Sequence, residues 1–416
     1  MHASLPLALA IALGGLAVAP LTALAAGTPE TQSDAKPGAR PEAKPAKPWA
    51  LNLRYRLEHV DDDAFARSAE AHTLRLRATF NHRFTPHWTA QLEAEGVAEL
   101  NDSFNSTANG QAAYPVVPDA RALEINQAWL DWSVDKAGAR VGRQMLVLDN
   151  ARFIGNVAWR QNMQTFDSAQ LRLKPTKALE VQAIYLDRVH RINGDEARDP
   201  LARERRLNAP LLRVAHALPG GSVVGYGYWV EDRDVAQAST RTLGLRWTAS
   251  RSLSKDWKGG LSLERAQQVP WADAVGGSTA YVLVEPRLEH GPLVFKAGWE
   301  RLGAGSGRAF QTPLATLHAF NGWADKFLVT PANGLRDTYV SAQGGLDVGS
   351  RKGKWEVAYH DFRADRGSAD YGTEIDASLG IKLRPGLDVL AKLASYDSDG
   401  FARDTGKVWL QVEWSL

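Results

Sequence analysis

The residues in this chain best suited to chemistry are arginines interleaved with amides. From Ala139 to Asp167 the sequence reads ARVGRQMLVLDNARFIGNVAWRQNMQTFD, which sets Arg143, Arg152 and Arg160 among Gln144, Asn150, Gln161, Asn162 and Gln164. A guanidinium is a permanent planar cation that pairs carboxylates with two parallel hydrogen bonds. Folded as a strand and an inward loop, this segment would gather cations and amides at a constriction, and such rings select anions and hydroxyl-rich solutes. A second stretch, Phe310 to Asp337, mixes rings with hydrogen-bonding groups at His318, Asn321, Trp323, Asp325 and Lys326. That mixture suits stacking on sugar rings. It suits equally well a loop whose aromatics pack it against a wall as a fixed constriction.

Bond-making chemistry finds little support. The chain has Cys 0, which removes thiolate nucleophiles and thiolate metal sites. No HExxH, GxSxG, P-loop or GxGxxG context occurs. A barrel-embedded lipase or deacylase would need a hydroxyl–His–carboxylate cluster at the lipid-facing rim, for which His72, His318 and His360 are the candidates. Asp61-Asp62-Asp63 offers hard oxygen ligands for Ca²⁺, or simply a solvated loop tip. No catalytic residue, metal or cofactor is expected, and a formal charge of +2 argues for no nucleic-acid partner.

The elements that must position these groups are strands. Leu51, Leu53, Tyr55 and Leu57 alternate with Asn52, Arg54, Arg56 and Glu58, and Leu74, Leu76, Ala78 and Phe80 alternate with Arg75, Arg77, Thr79 and Asn81. This period of two, with one apolar and one polar face, continues to the end of the chain. Short connections are expected near 85–87, 134–138, 175–178, 218–221, 251–256, 290–292, 345–353 and 384–386. Long ones are expected near 60–71, 101–122, 148–166, 188–208, 232–239, 268–279, 303–336, 364–373 and 397–404. The two kinds alternate, eight short with nine long, which gives about eighteen strands and places both termini on the short-turn side.

Such a plan is an all-β transmembrane antiparallel barrel with short periplasmic turns and long extracellular loops. A soluble sandwich would not require connection lengths to alternate. Trp49, Trp88, Trp132, Trp257, Trp355 and Trp414 fall beside short turns or at a terminus, as an interfacial girdle requires. Residues 1–25 read as a secretory signal, 26–48 as a Pro/Ala/Lys-rich flexible linker and 49–416 as the barrel. The last strand, ending at Leu416, resembles the signal read by the outer-membrane insertion machinery, although such signals usually end in an aromatic residue.

If the apolar face meets lipid and lipopolysaccharide, the polar alternates line a water-filled lumen. Arg54, Arg56, Arg75, Arg77, Arg143, Gln144, Arg152, Arg160, Gln161, Asn162 and Arg172 are then candidates to line the pore or contact solute. Interleaved acids, among them Glu93, Glu95 and Glu99, could instead pair with these arginines and stiffen the wall. The stretches GRQ (142–144), DNARFIG (149–155), WRQN (159–162), QTFD (164–167) and the ATLHAFNGWADKF–TPANGL loop resemble the alginate export family of outer-membrane β-barrels. The resemblance implies an electropositive pore that passes a polyuronate, with Arg143, Arg152 and Arg160 in the selectivity region. The expected protein is a monomeric channel in a Gram-negative outer membrane. It would carry an anionic or hydroxyl-rich saccharide passively, with a general anion porin as first alternative and a barrel enzyme as second.

Overall fold

The structure is a computed structural model that describes residues 48–416; the expected signal and all but the last residue of the expected linker lie outside the described residues. Eighteen strands follow one another along the chain. They are β1 (Trp49–Asp62), β2 (Ala69–Arg83), β3 (Trp88–Glu99), β4 (Ala122–Ser133), β5 (Ala137–Gln144) and β6 (Thr165–Leu173). Next come β7 (Leu179–His190), β8 (Glu204–Leu218), β9 (Gly221–Asp232), β10 (Thr240–Ser252), β11 (Trp257–Pro270) and β12 (Thr279–His290). The last six are β13 (Leu293–Leu302), β14 (Leu335–Val348), β15 (Arg351–Arg363), β16 (Asp370–Arg384), β17 (Leu387–Ser398) and β18 (Thr405–Ser415).

Each strand pairs antiparallel with its neighbours in sequence, and β1 pairs with β18, which closes the barrel. Closure leaves no sheet edge, the condition for a strand protein to sit in lipid. The expected alternation of short and long connections is present throughout, and the longest connection joins β13 to β14. Several bounds move by a few residues: β14 begins at Leu335, inside the stretch expected as that loop, and β14 and β15 run through most of 345–353, leaving only Gly349 and Ser350 between them.

The two faces of the wall separate as the alternation requires. Leu76, Leu92, Leu245, Val340, Ile375 and Leu410 point outward and are exposed. An apolar belt of this extent around a whole molecule calls for a non-aqueous surrounding. Trp49, Trp88, Trp257 and Trp414 are also exposed, all at the short-turn end. Inward, Arg56, Glu58, Arg75, Glu95, Asp376 and Trp409 are buried. A barrel of eighteen strands is too wide for its own side chains to fill. Two long connections do so instead, residues 145–164 and 303–334. Phe153 packs edge-on to Tyr281 and Phe310, and Phe327 stacks on Phe401 and packs against Phe362.

Candidate functional site: the loop-filled lumen

The two inward loops meet along a short seam. Ile154 and Leu314 form a parallel bridge, the Gly155 N–H donates to the Leu314 carbonyl (2.8 Å), and the Thr316 N–H donates to the Ala151 carbonyl (3.0 Å). Gln164 ties the seam by donating to the Gly155 and Leu314 carbonyls (2.8 and 3.1 Å). Only glycine fits at 155, because a Cβ there would come within 2.6 Å of the Thr316 nitrogen.

Charged side chains pin the seam to the wall. The Arg152 guanidinium donates to both carboxylate oxygens of Glu300 on β13 (2.8 and 3.2 Å) and to the Asn321 side chain (2.9 Å). Asn321 in turn donates to Glu300 (2.5 Å) and to Asp337 (3.0 Å). Arg160 donates to Glu58 on β1 (2.9 Å) and to Asp325 (3.1 Å). Asp325 also accepts from Lys407 of β18 (3.0 Å) and lies 2.8 Å from His318 Nδ1. Lys326 reaches Asp62 (2.7 Å), so this member of the acidic triplet holds a lysine.

At the centre lies Lys392 of β17. Its ammonium is 3.6 Å from the Trp323 ring centre, 4.3 Å from that of Trp159 and 2.6 Å from His318 Nε2. Trp159 stacks flat on His318, with ring centres 4.8 Å apart. A lysine between indole faces from both loops holds them together by cation–π attraction. An ammonium donating to Nε2 leaves the imidazole its proton on Nδ1, facing Asp325. Burial pushes His318 down to about 3; the Asp325 carboxylate opposes this and the Lys392 charge adds to it. Burial would raise Asp325, but His318, Lys407 and Arg160 outweigh it and hold the carboxyl well below the usual range.

The remaining arginines also have partners. Arg54 pairs with Glu413 (3.1 Å) and donates to the Ala158 carbonyl (3.2 Å), while Arg56 donates to Gln411 (2.7 Å) and to the Trp159 carbonyl (2.5 Å). Arg75 meets Asn52 and Glu413, Arg77 meets Glu95, and Arg172 pairs with Asp131 (2.6 Å). Gln161 donates its amide to Thr73 (2.9 Å), Asn162 donates to Glu124 (3.4 Å) and Gln144 donates to the Ser168 carbonyl (3.3 Å). Arg143 stands apart. It lies opposite Ala128 on the outward-facing series of β5 and pairs there with Asp167 (2.9 Å), beside His190. Odd spacing from Arg140, which faces inward to Asp131, puts Arg143 outside.

Not all of the lumen is filled. Between β12, β13, β14, β15 and the 319–323 turn lies a cavity, partly open to solvent, whose walls include Glu285, Lys296, Tyr339, Glu356, Phe320 and Trp323. Glu300, Asp337 and His360 also face it, and the His360 ring nitrogen is 3.0 Å from Asp337. Glu285, Lys296, Glu300, Glu356 and Lys392 were not among the residues expected from sequence to form the site. The inward parity of their strands marks all of them, but nothing local distinguishes them from wall residues.

A hydroxyl–His–carboxylate row does occur on the outward face. Tyr55 Oη is 2.7 Å from His72 Nδ1, and His72 Nε2 is 3.0 Å from Glu70. Its hydroxyl is a phenol, and the adjacent Asn101 amide, the donor an oxyanion would need, is already given to the Glu70 carbonyl (2.6 Å).

Closed topology, apolar exterior and inward loops are the features of an outer-membrane channel. Residues 47–206 match the alginate export family. The resemblance read from the motifs between 142 and 167 is thereby borne out over β1 to β7, and the 310–337 loop lies outside the match. Solved structures agree on the fold. Acinetobacter baumannii OccAB4 is 13% identical with a TM-score of 0.68, covering 88% of this chain and 97% of that one. Pseudomonas aeruginosa OccK9 (OpdG) is 14% identical with a TM-score of 0.67, over 88% and 97%. Pseudomonas aeruginosa OpdK with vanillate is 16% identical with a TM-score of 0.66, over 88% and 98%. No curated protein matches in sequence. The matched family is described as alginate export, and the solved structures share the barrel fold.

Proposed function

We propose that this alginate-export-like barrel is a monomeric outer-membrane channel for passive diffusion of small polar solutes, with its two inward loops as the selectivity element. The observation that carries this reading is the cavity left beside the loop seam, partly open to solvent and lined by carboxylates, a lysine, hydroxyl and amide groups and two aromatic rings. Solutes would exchange weak contacts with the wall and the 319–323 turn along the path. Swelling of proteoliposomes containing the full-length protein tests this directly. Mono- and disaccharides should enter faster than into protein-free liposomes, with the rate falling steeply as size rises; no entry by any solute would refute it.

A second reading, passage of an alginate-like anionic polysaccharide, is favoured by the family match over residues 47–206. It requires the loops to swing aside, because Arg152 and Arg160 are each engaged by carboxylates. Oligouronates of increasing length, added to single channels in a planar bilayer, should then block current in a length-dependent way. Block that disappears in Arg152 and Arg160 variants would support the polymer reading; its absence leaves the small-solute channel.

A further inference from the structure

We infer that the luminal cavity is a binding subsite for small solutes that carry a protonated amine, a preference opposite in sign to the one the arginines imply. The inference rests on the channel reading above and assigns its substrate class.

The argument starts from which charges around the cavity are already engaged. Arg152 neutralises Glu300, and Asp337 is held by Asn321 and His360. Two carboxylates remain. Glu285 accepts only the neutral Tyr339 hydroxyl (2.5 Å), and Glu356 has no hydrogen-bond or ion-pair partner among the described residues. Of the groups that line the cavity one lysine stands against them, Lys296, also without such a partner; Lys392 and His360 act on Glu356 as well, and Arg287 lies across from Lys296 on β12. Glu285, Lys296 and Glu356 share the floor of the cavity. Lys296 pairs across to Ser341 on β14, while Glu356 pairs with Gln343 two residues further along the same strand. Strands lie about 4.8 Å apart and rise about 3.4 Å per residue, so the Lys296 and Glu356 backbones, two strands and two residues apart, are about 12 Å from each other. No ion pair joins the two side chains, and their charged ends face the cavity between them.

A half-buried carboxylate facing an open cavity seeks a cation, and the surplus negative charge is focused by low-dielectric walls. Phe320 and Trp323 also line the cavity, and although Arg152 and Lys392 already lie against these rings, they give apolar surface to cover a solute's ring edge. Ser341 and Gln343 between the charges offer hydroxyl and amide partners to a polar framework. An amine on a small hydroxylated ring meets all of these groups; a carboxylate on the same ring meets only Lys296.

The test uses three probes built on one sugar ring: glucosamine (ammonium), glucose (neutral) and glucuronate (carboxylate). Full-length protein is reconstituted in planar bilayers at low salt, and reversal potentials and probe-induced current block are recorded. The wild type should prefer K⁺ to Cl⁻ and be blocked most by glucosamine. Glu356→Gln should lower that preference by about fivefold, the effect of one unit charge at close range in water. Lys296→Met should raise it by a similar factor. Opposite signs from two neutral substitutions are not what a merely structural role produces. Glu285→Gln is a second carboxylate variant, and retained heat-modifiable migration on gels shows that each barrel has folded. Anion preference with strongest block by glucuronate, or shifts of one sign from both variants, would overturn the inference while leaving the channel standing. Folded protein that passes no current would instead overturn the channel reading.

Discussion

The lumen holds two regions with the same residue classes and opposite economies of charge. On the side of β1, β2 and β18, arginines and lysines are consumed: Arg54, Arg56, Arg160 and Lys407 each grip a carboxylate or a loop carbonyl. On the side of β12 to β15, Lys296 and Glu356 face open space. The difference lies in loop density. Where a loop is pressed against the wall, water is excluded and an unpaired charge costs several kcal/mol, so each charge must find a partner. Where the loops stop short, solvent pays that cost and charge stays available for solute. Counting arginines therefore locates the fastened part of the pore, and the free charges locate the selective part.

The largest test of this contrast is to break the fastened side. Arg160→Met leaves Glu58 and Asp325 facing each other without their shared cation. Loss of one partner from a buried pair costs about 3–5 kcal/mol. Loop release rather than barrel unfolding is expected, read as a larger and noisier single-channel conductance with unchanged heat-modifiable migration. If conductance stays at the wild-type level, the fastening role of Arg160 is wrong. Next in size is Gly155→Val, which drives a side chain into Thr316 along the seam. Overpacking of this kind costs about 1–3 kcal/mol, and should appear as more frequent open-level flicker.

A graded effect is expected from pH. With the loops fastened, His318 titrates at about 3, whereas a released, solvated imidazole titrates near 6.5. The folded value lies below the free one, so the released state binds more protons as pH falls. The His318 contribution to fastening is thus at full strength above about pH 6.5 and weakens below it, by up to about tenfold per pH unit until about 3. Asp325 is depressed, so its contribution persists above its free value of roughly 3.9 and adds no slope between pH 4 and 6.5. Bilayer recordings from pH 7.5 to 4.5 should show openings growing as pH drops, and His318→Asn should flatten the curve. A wild-type response that is already flat would remove His318 from the fastening.

The smallest effect should come from Arg143. Its pair with Asp167 is partly exposed on the outer face, where such pairs contribute about 0–1 kcal/mol. Arg143→Ala should leave ion selectivity unchanged. A clear shift toward cations would place this arginine in the ion path and contradict its outward position.

Much of the architecture is legible in one dimension because the period-2 rule is local. Leu51 to Glu58 declares a lipid face and a water face without reference to any other strand, and the alternation of turn and loop lengths orders the strands around the barrel. Arg152, Arg160, His318, Asn321, Trp323 and Asp325 could be singled out by type, and all six do gather in the lumen. Arg143 is expected in the pore from its motif, whereas the parity of β5, which turns Arg140 inward, puts it outside.

What the sequence by itself determined is therefore the barrel: number of strands, facing of residues, and which two loops are long and apolar enough to fold inward. Which polar groups are free to meet a solute was decided only by the tertiary structure. Arg54 and Glu413 are 359 residues apart, and Arg152 and Glu300 are 148 apart. Pairing depends on distance in space, and closure of the barrel brings together residues whose separation along the chain carries no trace of that contact.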